Sequence, residues 1–182
     1  MKVFPFHDLR EADLIVGARY CGDPASNQIQ SEPLAPLMRV GNQGGIRFPS
    51  HRRFAVLYTT WGDPDWPDFA DNELGPLTFF GDNKRPGRDL HSTRGNQLLR
   101  DVFSALIERD FRSIPPIFLF SRFGPGEGRD VRFEGLLVPG LNGTPPSEAL
   151  SAIWRTKDAR HWQNRASIPG VMGAFGGTGC RL

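Results

Sequence analysis

A chain of 182 residues and 20.3 kDa is long enough to bury a hydrophobic core as one domain. Its 21 glycines and 16 prolines favour many turns and short strands and argue against a helical bundle. The net charge of +2 gives no argument for nucleic acid, but nearly all of the positive charge is arginine, since lysine occurs only at positions 2, 84 and 157. Arginine binds phosphates bidentately and stacks on bases, although a preference for arginine codons would produce the same composition.

Targeting signals and disulfides are not predicted. The amino-terminal residues contain no apolar segment of signal-peptide length, and no later segment is apolar enough to span a bilayer. The two cysteines, Cys21 and Cys180, lie near opposite ends of the chain and give neither a metal-ligand spacing nor a disulfide framework. We therefore expect a cytoplasmic protein with free thiols and no membrane contact.

Short strands account for most of the predicted structure. Alternating apolar residues predict a strand at residues 13–20. Further strands are predicted at residues 53–60, 77–80, 117–120, 131–138 and 161–168. The connections include a glycine-rich loop at residues 41–45, an acidic and aromatic loop after residue 60, and a polar turn at residues 81–87. Residues 148–154 fit a helix or a strand.

One long helix is predicted at residues 93–111. Its apolar residues recur at helical spacing and form one stripe, which consists of Leu98, Leu99, Val102, Phe103, Leu106 and Ile107. Thr93 suits the N-cap, and Pro115 and Pro116 prevent the helix from continuing. Many strands and one long helix predict an α+β fold with a curved or barrel-like sheet. Because residues 169–182 are glycine-rich, we expect one domain at residues 1–168 and a poorly ordered tail.

The loop after residue 60 combines carboxylates with large aromatic side chains. Its five acids are Asp63, Asp65, Asp68, Asp71 and Glu73, and they accompany Trp61 and Trp66. The prolines between them and the missing calcium-loop spacing argue against a metal site. A solvated acidic turn remains one interpretation. The other is a pocket that stacks a flat base between aromatic rings and accepts a hydrogen bond from the exocyclic amine of cytosine.

Four motifs carry a resemblance to a known family. They are GNQGGIR at residues 41–47, YTTWGDPDWPD at 58–68, TFFGDNKRPGRDLHSTRGN at 78–96 and VRFEGLLVPG at 131–140. In order and spacing they resemble the amino-terminal domain of the AspBHI-type modification-dependent restriction endonucleases, over roughly residues 14–166. That domain is related to the SRA domains, which bind 5-methylcytosine DNA. The resemblance implies a PUA-like curved β-barrel with long loops that face DNA.

The resemblance also implies a base-binding pocket. Phe79 aligns with a stacking aromatic that is tyrosine in many relatives, so one hydroxyl is missing here. Trp61 or Trp66 would supply the other stacking face. Asp68 is the first candidate for the carboxylate that reads cytosine and Asp65 the second, because both lie between the aromatics of the motif.

Two loops are implied to contact DNA. The first is the turn after the pocket strand, with Asn83, Lys84, Arg85 and Arg88. The second is the glycine-rich loop, which is bracketed by Arg39, Gln43 and Arg47. Solvated side chains on flexible turns are the alternative interpretation for each of these residues.

Motifs for catalysis are missing from the sequence: it contains no nuclease core, no nucleophile motif and no phosphate-binding loop. We therefore predict a reader that flips 5-methylcytosine out of double-stranded DNA and is not an enzyme, with no cofactor and no metal. A metal-dependent nuclease and a module for modified RNA are the alternatives. A monomer is expected, with a separately encoded nuclease as a further partner. In the family a nuclease domain follows, so a truncated enzyme and an independent reader fit equally well.

Overall fold

Two compact units make up the protein. The computed structural model describes residues 1–25, 32–41, 44–70, 76–124, 126–141, 143–157, 159–167 and 169–172. The first unit contains Met1–Trp61 and Pro116–Leu136, and the second contains Gly62–Pro115 and Leu137–Val171.

Strands dominate the described parts of the chain. In chain order they are β1 (Val3–Phe4), β2 (Arg19–Tyr20), β3 (Ile46–Arg47), β4 (Ala55–Thr59), β5 (Phe69–Ala70), β6 (Leu77–Phe80), β7 (Ile117–Arg122), β8 (Val131–Pro139), β9 (Leu150–Lys157), β10 (Arg160–Ser167) and β11 (Pro169–Met172). The helices are α1 (Leu34–Met38) and α2 (Arg94–Ile107), and 3-10 turns occur at Phe6–Asp8 and Phe111–Ser113.

The first sheet has the strand order β1-β2-β8-β7-β4-β3, and β11 pairs with β8. Strands β4 and β7 pair in parallel, from Ala55 opposite Ile117 to Thr59 opposite Ser121. Nearly all residues of both strands are buried. Burial on both faces explains why these segments are continuous apolar runs in the sequence and do not alternate.

Tyr20 is central to the core of the first unit. Its ring stacks on Phe4 at 5.0 Å, and its hydroxyl donates to the carbonyl of Asp13 and accepts from the N–H of Ile15, both at 2.8 Å. Burial raises the pKa of Tyr20 to about 12. The strand predicted at residues 13–20 is shorter than expected, because Gly17 turns the backbone with a φ of 79° and leaves only β2 extended.

The second sheet has the order β5-β6-β10-β9. Its longest pairing is the antiparallel hairpin of β9 and β10, which runs from Leu150 opposite Ser167 to Lys157 opposite Arg160. Helix α2 contacts both strands of this hairpin. Most of the predicted apolar stripe faces inward: Leu98, Leu99, Val102 and Phe103 are buried. Leu106 is half-buried, whereas Ile107 at the end of the stripe is exposed. The helix ends four residues earlier than predicted, and Arg109 then takes a positive φ of 60°.

The mostly β architecture with one long helix is as predicted, but the predicted barrel is wrong. Both sheets are open: within the described residues, the first ends at the edge strands β1 and β3 and the second at β5 and β9. The ambiguous residues 148–154 contribute most of β9. The predicted tail begins with β11. The disorder predicted for it concerns residues after Met172, which lie outside the described residues. No described helix is both long and apolar enough to cross a membrane.

Candidate nucleic-acid interface

Asp63 organises the acidic and aromatic loop of the second unit. One carboxylate oxygen accepts hydrogen bonds from the N–H groups of Asp65 and Trp66, at 3.0 and 2.8 Å, and the other pairs with the ammonium of Lys84. Burial raises the pKa of Asp63, but these hydrogen bonds, led by that from Lys84, outweigh it, so the pKa lies below its ordinary value. The Asp63 carboxylate therefore holds the loop in shape and is not the group that would read a base.

Trp66 is a buried aromatic residue at the centre of this loop, with 1% of its surface exposed. Its ring meets the edge of Trp162 at 5.1 Å and lies tilted against Phe80 at 5.5 Å. The guanidinium of Arg155, an exposed residue, lies 4.5 Å from the ring centre. The indole Nε1 is buried and has no hydrogen-bond partner among the described residues. An unpaired buried donor of this kind costs about 1–3 kcal/mol, so it needs an explanation.

The two candidate carboxylates differ in their partners. Asp65 forms an ion pair with Lys157 at 2.7 Å, and its backbone carbonyl accepts a hydrogen bond from Arg155. Asp68 accepts a hydrogen bond from the N–H of Phe80 at 2.8 Å. Both carboxylates are half-buried and lie within two residues of Trp66. Asp65 is thus tied to the β9–β10 hairpin, whereas Asp68 is tied to β6.

The two phenylalanines of β6 differ in burial. Leu77 and Phe79 are buried, whereas Phe80 is half-buried and contacts Trp66. Because side chains alternate along a strand, a core position for Phe79 turns Phe80 to the loop side. Phe79 therefore does not offer the open stacking face predicted for it. Trp61, which ends the first unit, is 39% exposed and has a φ of 58°.

A buried asparagine network supports the polar turn after β6. Asn83, Asn96 and Asn164 are each 0% exposed. The amide of Asn164 donates to the carbonyl of Gly81 at 2.9 Å, and the amide of Asn96 donates to the Asn164 oxygen at 3.2 Å. Asn83 donates to the carbonyl of Gln163 at 2.8 Å. The amide of Asn83 is therefore buried and used within the protein, and its contact with DNA stays a prediction.

Asp82 connects the same turn to the start of α2. Its carboxylate accepts hydrogen bonds from the N–H groups of Gly95 and Asn96, both at 3.0 Å, and from the hydroxyl of Thr93. Thr93 occupies the N-cap position as predicted but makes no capping hydrogen bond. A carboxylate from outside the helix thus satisfies its free N–H groups and matches the helix dipole. The turn is consequently held rigidly at both ends.

Exposed cationic and aromatic side chains meet where this turn contacts the hairpin. The N–H of Gly87 donates to the carbonyl of His161 at 2.8 Å. We call the exposed residues around this contact the turn–hairpin surface. They are Arg85, Arg88, Trp154, Arg160 and His161, and on the hairpin Trp154 and His161 lie on one face and Arg160 on the other. Trp154 is 60% exposed, and its ring lies edge-on to His161 at 6.3 Å.

The hairpin half of this surface was not predicted from the sequence. The available signal was the composition of residues 154–162, which hold two tryptophans, a histidine and three cationic residues. Lys84, which was predicted to contact DNA with Arg85 and Arg88, is exposed but paired with Asp63.

The glycine-rich loop of the first unit is less accessible than predicted. Arg47 is 6% exposed, pairs with Glu32 at 2.7 Å, and places its guanidinium 4.6 Å from the ring centre of Tyr58. The charge of Arg47 is therefore buried and paired within the protein, and its contact with DNA stays a prediction. Arg39 is exposed, as predicted for a DNA contact. Gln43 lies outside the described residues.

No metal site is found among the described residues, since no three His, Cys, Asp or Glu side chains converge there. Asp71 and Glu73 of the acidic loop lie outside the described residues.

Comparison with known proteins identifies the family. The family model described as restriction endonuclease AspBHI N-terminal matches residues 14–172. This match covers most of the chain, and the chain therefore belongs to that family. No curated protein matches the sequence.

Solved structures agree with this assignment. The DNA recognition domain of the cytosine modification-dependent restriction endonuclease LpnPI is 36% identical, with a TM-score of 0.86, over 95% of this chain and 80% of that chain. The DNA modification-dependent restriction endonuclease AspBHI is 35% identical, with a TM-score of 0.84, over 95% of this chain and 46% of that chain. The MspJI restriction endonuclease in complex with a 27-mer oligonucleotide shares the fold, with 20% identity and a TM-score of 0.60, over 91% of this chain and 44% of that chain.

The chain thus spans about half the length of AspBHI and MspJI. The LpnPI match is to a DNA recognition domain, and no catalytic domain is part of it.

Proposed function

We propose that this chain reads modified cytosine, in particular 5-methylcytosine, in double-stranded DNA without cleaving it. The observation that carries the proposal is the 36% identity, over 95% of the chain, with the DNA recognition domain of a cytosine modification-dependent endonuclease. The turn–hairpin surface supports it, because it offers exposed arginines for phosphates and an exposed tryptophan for a base. Any cleavage would need a nuclease that is joined to this chain or encoded separately.

The flipped base, in this proposal, is bound at Trp66. The guanidinium of Arg155 lies over the indole ring, and Arg155 is a long exposed side chain that can move without disturbing the core. A base that replaced this guanidinium would exchange one planar stacking partner for another, and base–aromatic stacking is worth about 1–3 kcal/mol. The unpaired Nε1 of Trp66 would remain as a donor at the edge of the site.

Cytosine would be selected by a carboxylate beside Trp66. The exocyclic amine of cytosine is a donor that Asp65 or Asp68 could accept, whereas thymine presents an oxygen there. With thymine no hydrogen bond would form between the carboxylate and the base, and this makes the contact discriminating. Trp61 stays a predicted second stacking partner. Phe79, in the core, would support the site from behind.

The phosphates next to the flipped base would lie on the turn–hairpin surface. Arg85 and Arg88 project from a turn that is anchored by the asparagine network, so they are held in place before DNA arrives. Prior ordering of this kind reduces the entropy lost on binding. The duplex would be bound by a single copy of the chain.

The experiment is an anisotropy titration of two short duplexes at one salt concentration, one with a single 5-methylcytosine and its twin with cytosine. A preference of about tenfold, equivalent to about 1.4 kcal/mol, is expected for the wild-type protein. Asp65→Ala and Asp68→Ala should show which carboxylate reads the base, since only the loss of that carboxylate should abolish the preference for 5-methylcytosine. Arg85→Ala should weaken the binding of both duplexes equally. Arg112 is an exposed arginine elsewhere in the second unit, and Arg112→Ala should weaken the binding of neither duplex.

Two results would contradict this proposal. Equal binding of both duplexes would leave a general DNA-binding protein. Stronger binding of a modified RNA than of either duplex would move the function to RNA.

A further inference from the structure

A groove in the first unit is lined by arginines that form no ion pair with an acid among the described residues. Two adjoining cavities, of about 580 and 620 Å³, share Arg10 and Arg39 as lining residues. Phe6 lines the first cavity, and His51 and Arg53 line the second. The shared arginines make the two cavities neighbours on the surface of the first unit, and we refer to them together as the groove.

The three arginines of this groove, Arg10, Arg39 and Arg53, differ in their partners from other arginines of the first unit. Within the described residues, no carboxylate lies within salt-bridge distance of the guanidinium groups of Arg10, Arg39 and Arg53, and all three residues are exposed. Arg19 and Arg47, in contrast, are each paired with an acid. The groove arginines are therefore available to a ligand.

Local backbone structure holds these arginines at the rim. Arg39 follows α1 directly with a φ of 53°, and its N–H donates to the carbonyl of Ala35 at 3.1 Å. Arg53 follows a turn in which the N–H of Arg52 donates to the carbonyl of Pro49 at 3.0 Å. A positive φ is uncommon in residues other than glycine, and at Arg39 it marks the turn that ends α1.

We propose that this groove binds the phosphate groups of a DNA strand, as a second contact separate from the site that reads the base. The proposal rests on the proposed function, since it assumes that the chain binds DNA. Guanidinium groups bind phosphate oxygens bidentately, and repeated phosphates suit several arginines along one groove. Glu11 and Asp13 also line the second cavity, so the strand lies along its arginine side.

This contact is independent of sequence and of modification. Phosphate contacts position DNA and contribute most of the salt-dependent affinity, whereas the base contacts provide the specificity. Removal of groove arginines should therefore lower the affinity for all duplexes alike and leave the preference for 5-methylcytosine unchanged.

The test compares two double variants in the same titrations, repeated at several salt concentrations. Arg10→Ala with Arg53→Ala removes two groove charges. Arg109→Ala with Arg112→Ala removes two exposed arginines of the second unit and serves as the matched control. For the groove variant we expect an affinity loss of about tenfold or more for both duplexes. The slope of log K against log salt should become shallower by about 1.8, since each phosphate contact contributes about 0.9.

The outcomes separate the two proposals. Affinity and slope equal to those of the control variant would overturn the groove proposal, even if the preference for 5-methylcytosine is found. If the wild-type protein shows no preference for 5-methylcytosine but the groove variant binds DNA more weakly, the proposed function is overturned and the groove proposal stands. Loss of poly-glutamate binding in the groove variant, with unchanged DNA binding, would assign the groove to an acidic peptide instead. Thermal melting of each variant, and of Arg10→Gln with Arg53→Gln, excludes unfolding as the cause.

Discussion

Gly81 is the residue on which the buried asparagine network depends most directly. A Cβ atom at this position would overlap the side-chain oxygen of Asn96 and would lie 2.7 Å from that of Asn164. Neither amide can withdraw, because each is buried and hydrogen-bonded on its other side. We predict that Gly81→Ala lowers the free energy of unfolding by about 3 kcal/mol, the upper part of the range for overpacking. Urea unfolding measures the change.

Gly41→Ala is the matched control for this prediction. Gly41 has no positive φ, and a Cβ atom there would meet no atom within 4 Å. The substitution also reduces the entropy of the unfolded chain, so we expect no loss of stability. Equal unfolding curves for the two variants would show that the network tolerates a methyl group.

The same residues show what a sequence can and cannot predict about single side chains. The motif around Gly81 was recognised, and its arginines are exposed as predicted for Arg85 and Arg88. Asn83 and Arg47 were assigned to DNA because the family resemblance implies that their two loops contact DNA. Their burial depends on partners such as Gln163, 80 residues away in the sequence, or Glu32, 15 residues away. Contacts of this kind leave no local pattern.

At the scale of an element, the loop that contains Asp63 should respond to acid. The folded protein lowers the pKa of Asp63 below its ordinary value of 3.8, so folding is favoured by the ionised carboxylate. This contribution is fully present above the unfolded pKa and is lost as the pH falls through the folded pKa. We predict that the wild-type protein loses more stability than Asp63→Asn between about pH 6 and pH 3. Urea midpoints across this range measure the difference.

Lys84→Met refines this prediction. It removes one partner of the carboxylate but leaves the hydrogen bonds from Asp65 and Trp66. The acid dependence should therefore be smaller than in the wild-type protein and larger than in Asp63→Asn. Three parallel curves would mean that the titration of Asp63 does not contribute to stability.

Helices and strands were predicted well where the hydrophobic periodicity of a single segment indicates its structure. The apolar stripe of α2 has the helical period, and its core-facing residues were identified. The hairpin of β9 and β10 was only half predicted, because Trp154, Arg155 and Lys157 are exposed and show no apolar alternation. The open sheets were predicted as a barrel because closure depends on strand pairing across the whole chain, which the periodicity of single strands does not specify.

At the scale of the whole molecule, a net charge of +2 conceals local concentrations of arginine. The turn–hairpin surface carries Arg85, Arg88 and Arg160, and the groove of the first unit carries Arg10, Arg39 and Arg53. Several acids are engaged inside the protein, as Asp63 and Asp82 are, and do not oppose these surfaces. Affinity for DNA should therefore depend strongly on salt despite the nearly neutral sequence.

Salt dependence and base discrimination should be separable properties of the intact chain. Phosphate contacts release counterions, whereas stacking on Trp66 and a hydrogen bond to a carboxylate release none. We predict that log K for methylated and unmethylated duplexes falls along two parallel lines against log salt, with a constant offset of about one decade, equivalent to about 1.4 kcal/mol.

Arg85→Ala should lower both lines and reduce both slopes while the offset persists. Alanine at the carboxylate that reads the base should bring the lines together and leave the slopes unchanged. Wild-type lines that converge at high salt would show instead that the preference for the modified base is itself electrostatic.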